Sequence, residues 1–204
     1  MQGVGDFFEL VGSRASVRRF RPDPVPDEAV RKILWAATRA PTAGGRENWF
    51  FVVVKSDEAR REVHRLLVEA HLRYAAQVVR MPSERIERWR KAMEGGMYVA
   101  PLYIAFYMDL GRLTSGGSRD VNDPEFLMEV QSVAAAMENA VLAAWSLGIG
   151  SVWLGVPLLM EEEFNKVLKP PPGYKLMGML ALGYPAEEVK PRSRKPVESV
   201  SVTI

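Results

Sequence analysis

Cysteine is absent from the 204 residues. That removes disulfides, thiolate metal sites and a cysteine nucleophile together. Histidine is nearly absent too, with two residues. His64 and His71 stand seven apart on a predicted helix, about 10.5 Å of rise, so they share a face but cannot grip one metal ion between them. Their plain reading is as surface or packed side chains, and no metal site is expected. Net charge is also small: 27 Lys and Arg against 25 Asp and Glu leave +2. This is too balanced for a protein whose task is to coat nucleic acid or an acidic membrane. No apolar run approaches the roughly 18 residues of a spanning helix; the longest are "WFFVVV" and "YVAPLYIAFYM". The first residues show no charged-then-apolar leader pattern, so a soluble, cytoplasmic protein is expected, with no nucleic-acid or membrane partner. Neither a GxGxxG opening a helix nor a GxxxxGK[ST] occurs, which argues against the dinucleotide-binding fingerprint and the P-loop.

What remains is the composition of an ordinary globular domain, 48% apolar and 25% charged. Helical and strand patterns alternate along it. "VGDFFELVG" predicts a short helix with Phe7, Phe8 and Val11 on one side. "DEAVRKILWAATRA" predicts another, with Asp27 as its N-cap and Val30, Ile33, Leu34 and Ala37 at helical spacing. Residues 49–54 predict a strand buried on both faces. The stretch 57–79 predicts a long helix, apolar at Val63, Leu66, Leu67, Ala70 and Tyr74. "SERIERWRKAMEGG" predicts a separate, charged helix capped by Ser83, with Ile86, Trp89 and Met93 as a narrow stripe and Gly95 and Gly96 at its end. The strand "YVAPLYIAFYM", a polar loop over 109–123 and a long alanine-rich helix closed by Gly148 follow. Its many alanines suit a tightly packed central or subunit-interface helix. A short strand "SVWLG", a helix "MEEEFNKVL" and a strand "LMGMLALGY" complete the body. The last twenty residues are proline-broken and basic, with too few apolar groups for a core of their own. The expectation is one α+β domain over 1–204 with a variable excursion at about 80–125.

Two basic clusters stand out in this near-neutral chain. "SRASVRRFRP" holds Arg14, Arg18, Arg19 and Arg21, and "RSR" holds Arg192 and Arg194. If the first is a turn after a helix, Arg14, Ser16 and Arg18 converge on one anion; the guanidinium fork suits phosphate oxygens. A solvated basic surface is the competing reading. Glycines in "PTAGGRENW" and "LGIGSVWLG" let backbone lie flat against a ligand, or simply make turns.

Taken in order, "SRASVRRF", "PVPDEAVRKILWAATRAPTAGGRENWFFVVV", "AAAMENAVLAAWSLGIGSVWLGVP" and "LALGYPAEEVKPRSRKPVESV" resemble the FMN-dependent nitroreductase family. The resemblance spans residue 13 to the tail and is poorest over 80–125, where the family varies and shapes its substrate pocket. It implies the family's α+β fold: a central mixed β-sheet flanked by helices, with the extended C-terminal tail exchanged across a homodimer and FMN at the interface. It implies that Arg14, Ala15, Ser16 and Arg18 bind FMN, that Arg14 with Arg192 and Arg194 holds the phosphate, and that Arg18 reaches the polar edge of the ring. Pro41, Thr42, Ala43, Gly45 and Glu47 would pack at the ring from the partner subunit. Leu154, Gly155 and Val156 would offer backbone N–H groups near flavin N5 and O4. Trp89, Met93 and Tyr98, with Phe126, are expected to line the substrate pocket, although Trp89 and Met93 equally suit the packed face of one helix. No side chain is assigned as catalytic, because the flavin carries the chemistry. The implied activity passes hydride from NAD(P)H through flavin N5 to a small-molecule acceptor such as a nitroaromatic or a quinone. The alternatives are reductive dehalogenation, flavin fragmentation or a specialised oxidation, a non-catalytic flavin carrier, or an anion-binding module. Departures from the family loop are Gly45 where Asn is usual, Glu47 where Gln is usual and Asn48 where Pro is usual. Glu47 is expected either to alter the flavin potential or to pair with Arg46.

Overall fold

The computed structural model describes residues 6–113 and 123–204. Most of the polar loop expected over 109–123, from 114 to 122, lies outside them. The chain runs α1 (Phe7–Ser13), α2 (Asp27–Ala37), β1 (Trp49–Val54), α3 (Asp57–Arg73), α4 (Ser83–Glu94), β2 (Leu102–Asp109), α5 (Pro124–Ser146), β3 (Gly150–Leu154), α6 (Glu161–Leu168) and β4 (Tyr174–Gly183).

Four strands pair in the order β1-β2-β4-β3, antiparallel at every step. A mixed sheet was expected; among the described residues the only parallel pairing is an isolated bridge between Ser16 and Ser151. β2 is central and buried on both faces. Leu102, Ile104, Phe106 and Met108 enter the core under α2 and α5, while Tyr103, Ala105 and Tyr107 enter the one under α3, α4 and α6. β1 was expected to be fully buried, but it is an edge strand with five of its six residues half-buried. Its aromatic and β-branched residues still alternate: Trp49, Phe51 and Val53 pack on the first core and Phe50 and Val52 on the second.

The alanines of α5 do what their size allows. Ala136, Ala140 and Ala144 are fully buried, and Asn139 Nδ2 donates to the Ala36 carbonyl of α2 at 3.1 Å. Two expected caps are not caps. Asp27 and Ser83 are the first residues inside their helices, after Pro26 and Pro82; Asp27 instead pairs with Lys55. Proline at the boundary fixes the entry geometry without a side-chain cap. α3 is capped by Ser56, whose hydroxyl accepts from Ala59 N–H at 3.3 Å. It gives way at Tyr74–Val78 to a π-turn, so Tyr74 leaves the stripe that buries Val63, Leu66, Leu67 and Ala70.

The segment between α4 and β2 is held in an unusual shape. Tyr98 has φ 67, a left-handed conformation that non-glycine residues take only when their surroundings force it. Its N–H donates to Arg18 O at 2.8 Å, and its carbonyl accepts from the buried Tyr103 hydroxyl at 2.6 Å. The same hydroxyl accepts from Ala100 N–H at 3.2 Å, and burial pushes its pKa up to about 12. Tyr103→Phe removes both partners, so we expect a loss of ~2 kcal/mol and a midpoint ~4–8 °C lower in thermal unfolding.

Candidate cofactor and substrate site

The stretch after α1 is extended, not the turn that the sequence suggested. Arg14 closes the helix at φ −58, ψ 129. Val17 N–H then donates to Ser151 O at 2.9 Å, and Arg21 N–H donates to Tyr184 O at 2.8 Å. Extended backbone alternates its side chains. Ala15 and Val17 therefore go inward, 6% and 0% exposed, while Arg14, Ser16 and Arg18 share the other side. The Arg-x-Ser-x-Arg spacing is thus a strand spacing. Close approach to β3 depends on Gly150: a Cβ there would stand 2.4 Å from Val17 Cγ2.

Arg14, Ala15, Ser16 and Arg18 line a cavity of about 210 Å³ together with Lys190, Arg192 and Arg194 of the tail. Both basic clusters therefore meet within one protomer, and Lys190 joins them unforeseen. None of these five cations forms an ion pair among the described residues. The other two arginines of the stretch are spent elsewhere: Arg19 donates to Gly95 O at 2.7 Å, and Arg21 pairs with Asp23 and lies over the Tyr184 ring. Five like charges around one small cavity make a place for an anion, and guanidinium donors suit phosphate oxygens.

Arg18 also belongs to a second, apolar cavity of about 510 Å³, whose walls include His71, Trp89, Tyr98 and the run from Val152 to Val156. That volume lies within the range of about 300–1,000 Å³ typical of small-molecule sites. Gly155 and Val156 open a 3₁₀ turn directly after β3, where the first N–H groups have no acceptor within the turn. The two cavities share Arg18, so a small basic cavity and a larger, mainly apolar one lie side by side. A molecule with a phosphate at one end and a ring system at the other, as FMN is, would suit the pair.

The other expected site residues divide. Trp89 and Tyr98 line the apolar cavity. Met93 is 1% exposed in the core beneath α3, and Phe126 is 4% exposed in the core on the other side of the sheet, so neither lines it. Pro41, Thr42, Ala43, Gly45 and Glu47 form a separate loop that does not touch either cavity in this protomer. There, Ala43 N–H donates to Ser132 Oγ at 3.0 Å and Glu47 N–H to Thr42 Oγ1 at 3.2 Å. Gly45 has φ 65, a conformation open to glycine and asparagine alike, so the departure from Asn keeps the backbone while losing the amide. The expected Glu47–Arg46 pair is not formed. Arg46 instead reaches Glu129 at 2.5 Å and Glu125 at 2.8 Å, and these bonds hold its guanidinium above the ordinary arginine value.

His71, set aside at the level of sequence, lines the apolar cavity. It is 5% exposed, stacked on Tyr98 at 4.7 Å and edge-on to Trp89 at 5.9 Å. Burial lowers its pKa, partly offset by the hydrogen bond to Leu67 O. Its position on α3 directly after the buried Leu66–Ala70 stripe marks it in the sequence as a buried histidine, but not as a cavity wall.

A model of the Nitroreductase family matches residues 11–184. The chain belongs to the nitroreductase family. Among curated relatives of this nitroreductase-family protein, a 5,6-dimethylbenzimidazole synthase from Rhodospirillum rubrum is 32% identical over 86% of this chain and 80% of its own. An NADH dehydrogenase from Thermus thermophilus is 28% identical over 92% and 90%. Human iodotyrosine deiodinase 1 is 26% identical over 98% and 68%. Among solved structures, a BluB-like flavoprotein from Clostridium difficile superposes with a TM-score of 0.77 at 27% identity, over 98% of this chain and 99% of that one. A nitroreductase with bound FMN from Desulfitobacterium hafniense gives 0.70 at 25% identity, over 97% and 96%.

Proposed function

We propose that the protein is an FMN-dependent oxidoreductase, working as a homodimer, that takes two electrons from NADH or NADPH and passes them to a nitroaromatic, a quinone or a similar acceptor. The observation that carries this reading is the paired cavity: five unpaired cations at one end, an apolar slot at the other, and Arg18 common to both. FMN, when bound, supplies the two-electron chemistry. The chain's own part is binding and orientation. Arg14, Lys190, Arg192 and Arg194 neutralise the phosphate, and Arg18 and the N–H groups of Gly155 and Val156 donate toward the polar edge of the ring. Trp89 and Tyr98 wall the space beside it and exclude water. Exposed apolar side chains support a second copy as partner: Phe7, Phe8, Val197, Val200 and Val202 are 63–83% exposed. In that dimer the 41–47 loop of the other copy packs at the ring.

Steady-state kinetics with NADH and NADPH against a panel of nitroaromatics and quinones test the activity. Parallel double-reciprocal lines, with turnover well above that of free FMN, are expected. A second reading has its own support, because the synthase is 32% identical to this chain over 86% of it, beside 28% over 92% for the NADH dehydrogenase. Turnover no faster than with free reduced FMN would favour such a specialised flavin reaction over general acceptor reduction.

A further inference from the structure

We propose that His71 sets the ligand preference of the apolar cavity, which takes a flat aromatic molecule whose O–H or N–H donates to His71 Nε2. This rests on the reading that FMN shares the cavity, and it adds the chemistry of the second occupant.

The tautomer follows from one contact. His71 Nδ1 lies 2.8 Å from Leu67 O. A carbonyl has no proton to give, so Nδ1 carries the hydrogen and Nε2 keeps its lone pair. Nε2 has no hydrogen-bond partner among the described residues, and the ring lines the cavity. Burial disfavours a protonated ring. His64 on the same helix opposes a positive charge on the ring; the other titratable side chains of the cavity wall are Arg18, Tyr74 and Tyr98. The imidazole therefore stands as a neutral acceptor awaiting a donor.

Its position is fixed from both sides. Tyr98 stacks on it at an interplanar angle of 17°, and Trp89 meets it edge-on at 61°. Tyr98 in turn is locked by its bonds to Arg18 O and the Tyr103 hydroxyl. A left-handed tyrosine over-determined in this way, at a cavity wall, is strain kept where a site needs a fixed surface. Tyr74 and Trp153 add further aromatic wall, which selects flat apolar bodies. Discrimination then comes from the polar atom: a ligand without a donor leaves Nε2 desolvated and unpaired.

The test uses the FMN-loaded protein titrated with p-cresol and with 4-methylanisole, which differ by the O–H, at about pH 7.5, where the imidazole is neutral. Binding is followed by perturbation of the flavin spectrum and by calorimetry. The expected result is that p-cresol binds about tenfold more tightly, ~1.4 kcal/mol, and that His71→Phe brings the ratio close to one with FMN content unchanged. Should His71→Phe fail to fold, His71→Gln is expected to weaken the preference without abolishing it, because its amide oxygen still accepts. Equal binding of the two probes to the wild type would overturn the proposal, as would a ratio undiminished by either substitution. If the protein holds no FMN, the functional reading fails by itself. The same pair titrated calorimetrically into the FMN-free protein then still reads the His71 preference, since protein atoms alone build that wall.

Discussion

Arg14→Ala is expected to weaken FMN binding roughly thirty-fold while leaving riboflavin binding within about twofold of wild type, because only the phosphate contact is lost. Arg14 projects from the first residue of the extended stretch into the basic cavity, and it forms no ion pair elsewhere among the described residues. A charge-assisted fork to a phosphate is worth about 1.5–3 kcal/mol. Arg14→Lys keeps the charge but loses the fork, and should fall between wild type and alanine. Arg192 and Arg194 stand on an exposed tail, so each alone should matter less. Replacing both, with Lys190 and Arg14, should reduce FMN affinity to about that of riboflavin. Fluorescence titration of the FMN-free protein with the two flavins measures all of this. Equal losses for FMN and riboflavin in Arg14→Ala would assign Arg14 to structure instead.

Gly150→Ala is expected to damage both stability and cofactor binding. The added Cβ would meet Val17 Cγ2 at 2.4 Å and Val17 Cβ at 2.8 Å, and Val17 is fully buried. A contact that short cannot be kept, so the extended stretch must move off β3. Overpacking of this kind costs about 1–3 kcal/mol, and the upper end is expected because Val17 N–H is also bonded to Ser151 O at 2.9 Å. For a chain of this length that is a midpoint about 6–12 °C lower. Ser16 and Arg18 flank Val17, so the same shift displaces two of the groups proposed to hold FMN. Val17→Ala in the same chain should recover part of the loss, since it removes both Cγ atoms, but not all of it, since the short Cβ contact remains. Thermal unfolding with FMN titration of the single and double variants reads both effects. A Gly150→Ala protein with wild-type midpoint and affinity would show that Val17 has room to move.

Much of the fold was legible because it is written in local periodicity. The 3.6-residue spacing in α2 and α3, the alanine-rich run of α5 and the unbroken apolar runs of β1 and β2 placed those elements to within a few residues. Sheet position was not legible. "WFFVVV" is apolar enough for a central strand, yet it lies at the edge, since neighbours are chosen by long-range pairing that no local window contains. The caps failed for a related reason: Asp27 and Ser83 are good N-cap types, but the preceding prolines already fix the helix starts. Of the cavity residues, Arg14, Ser16, Arg18, Gly155, Arg192 and Arg194 were named from their spacing and the family resemblance. His71 and Lys190 were not. A buried histidine that closes a cavity and one that merely packs have the same sequence surroundings; the difference lies in Trp89 and Tyr98, brought over from later in the chain. Phe126 illustrates the converse, a residue assigned to the pocket by its neighbourhood in sequence that the opposite helix face carries into the other core.

The central claim is that the paired cavities hold a flavin that the protein can reduce. The most direct measurement is the visible absorption spectrum of the purified protein, reconstituted with FMN where necessary, before and after anaerobic addition of NADH or NADPH. A protein-bound flavin spectrum that bleaches with one of the two donors is the predicted result. A colourless protein that takes up no FMN would contradict it, and the basic cavity would then be a plain anion site.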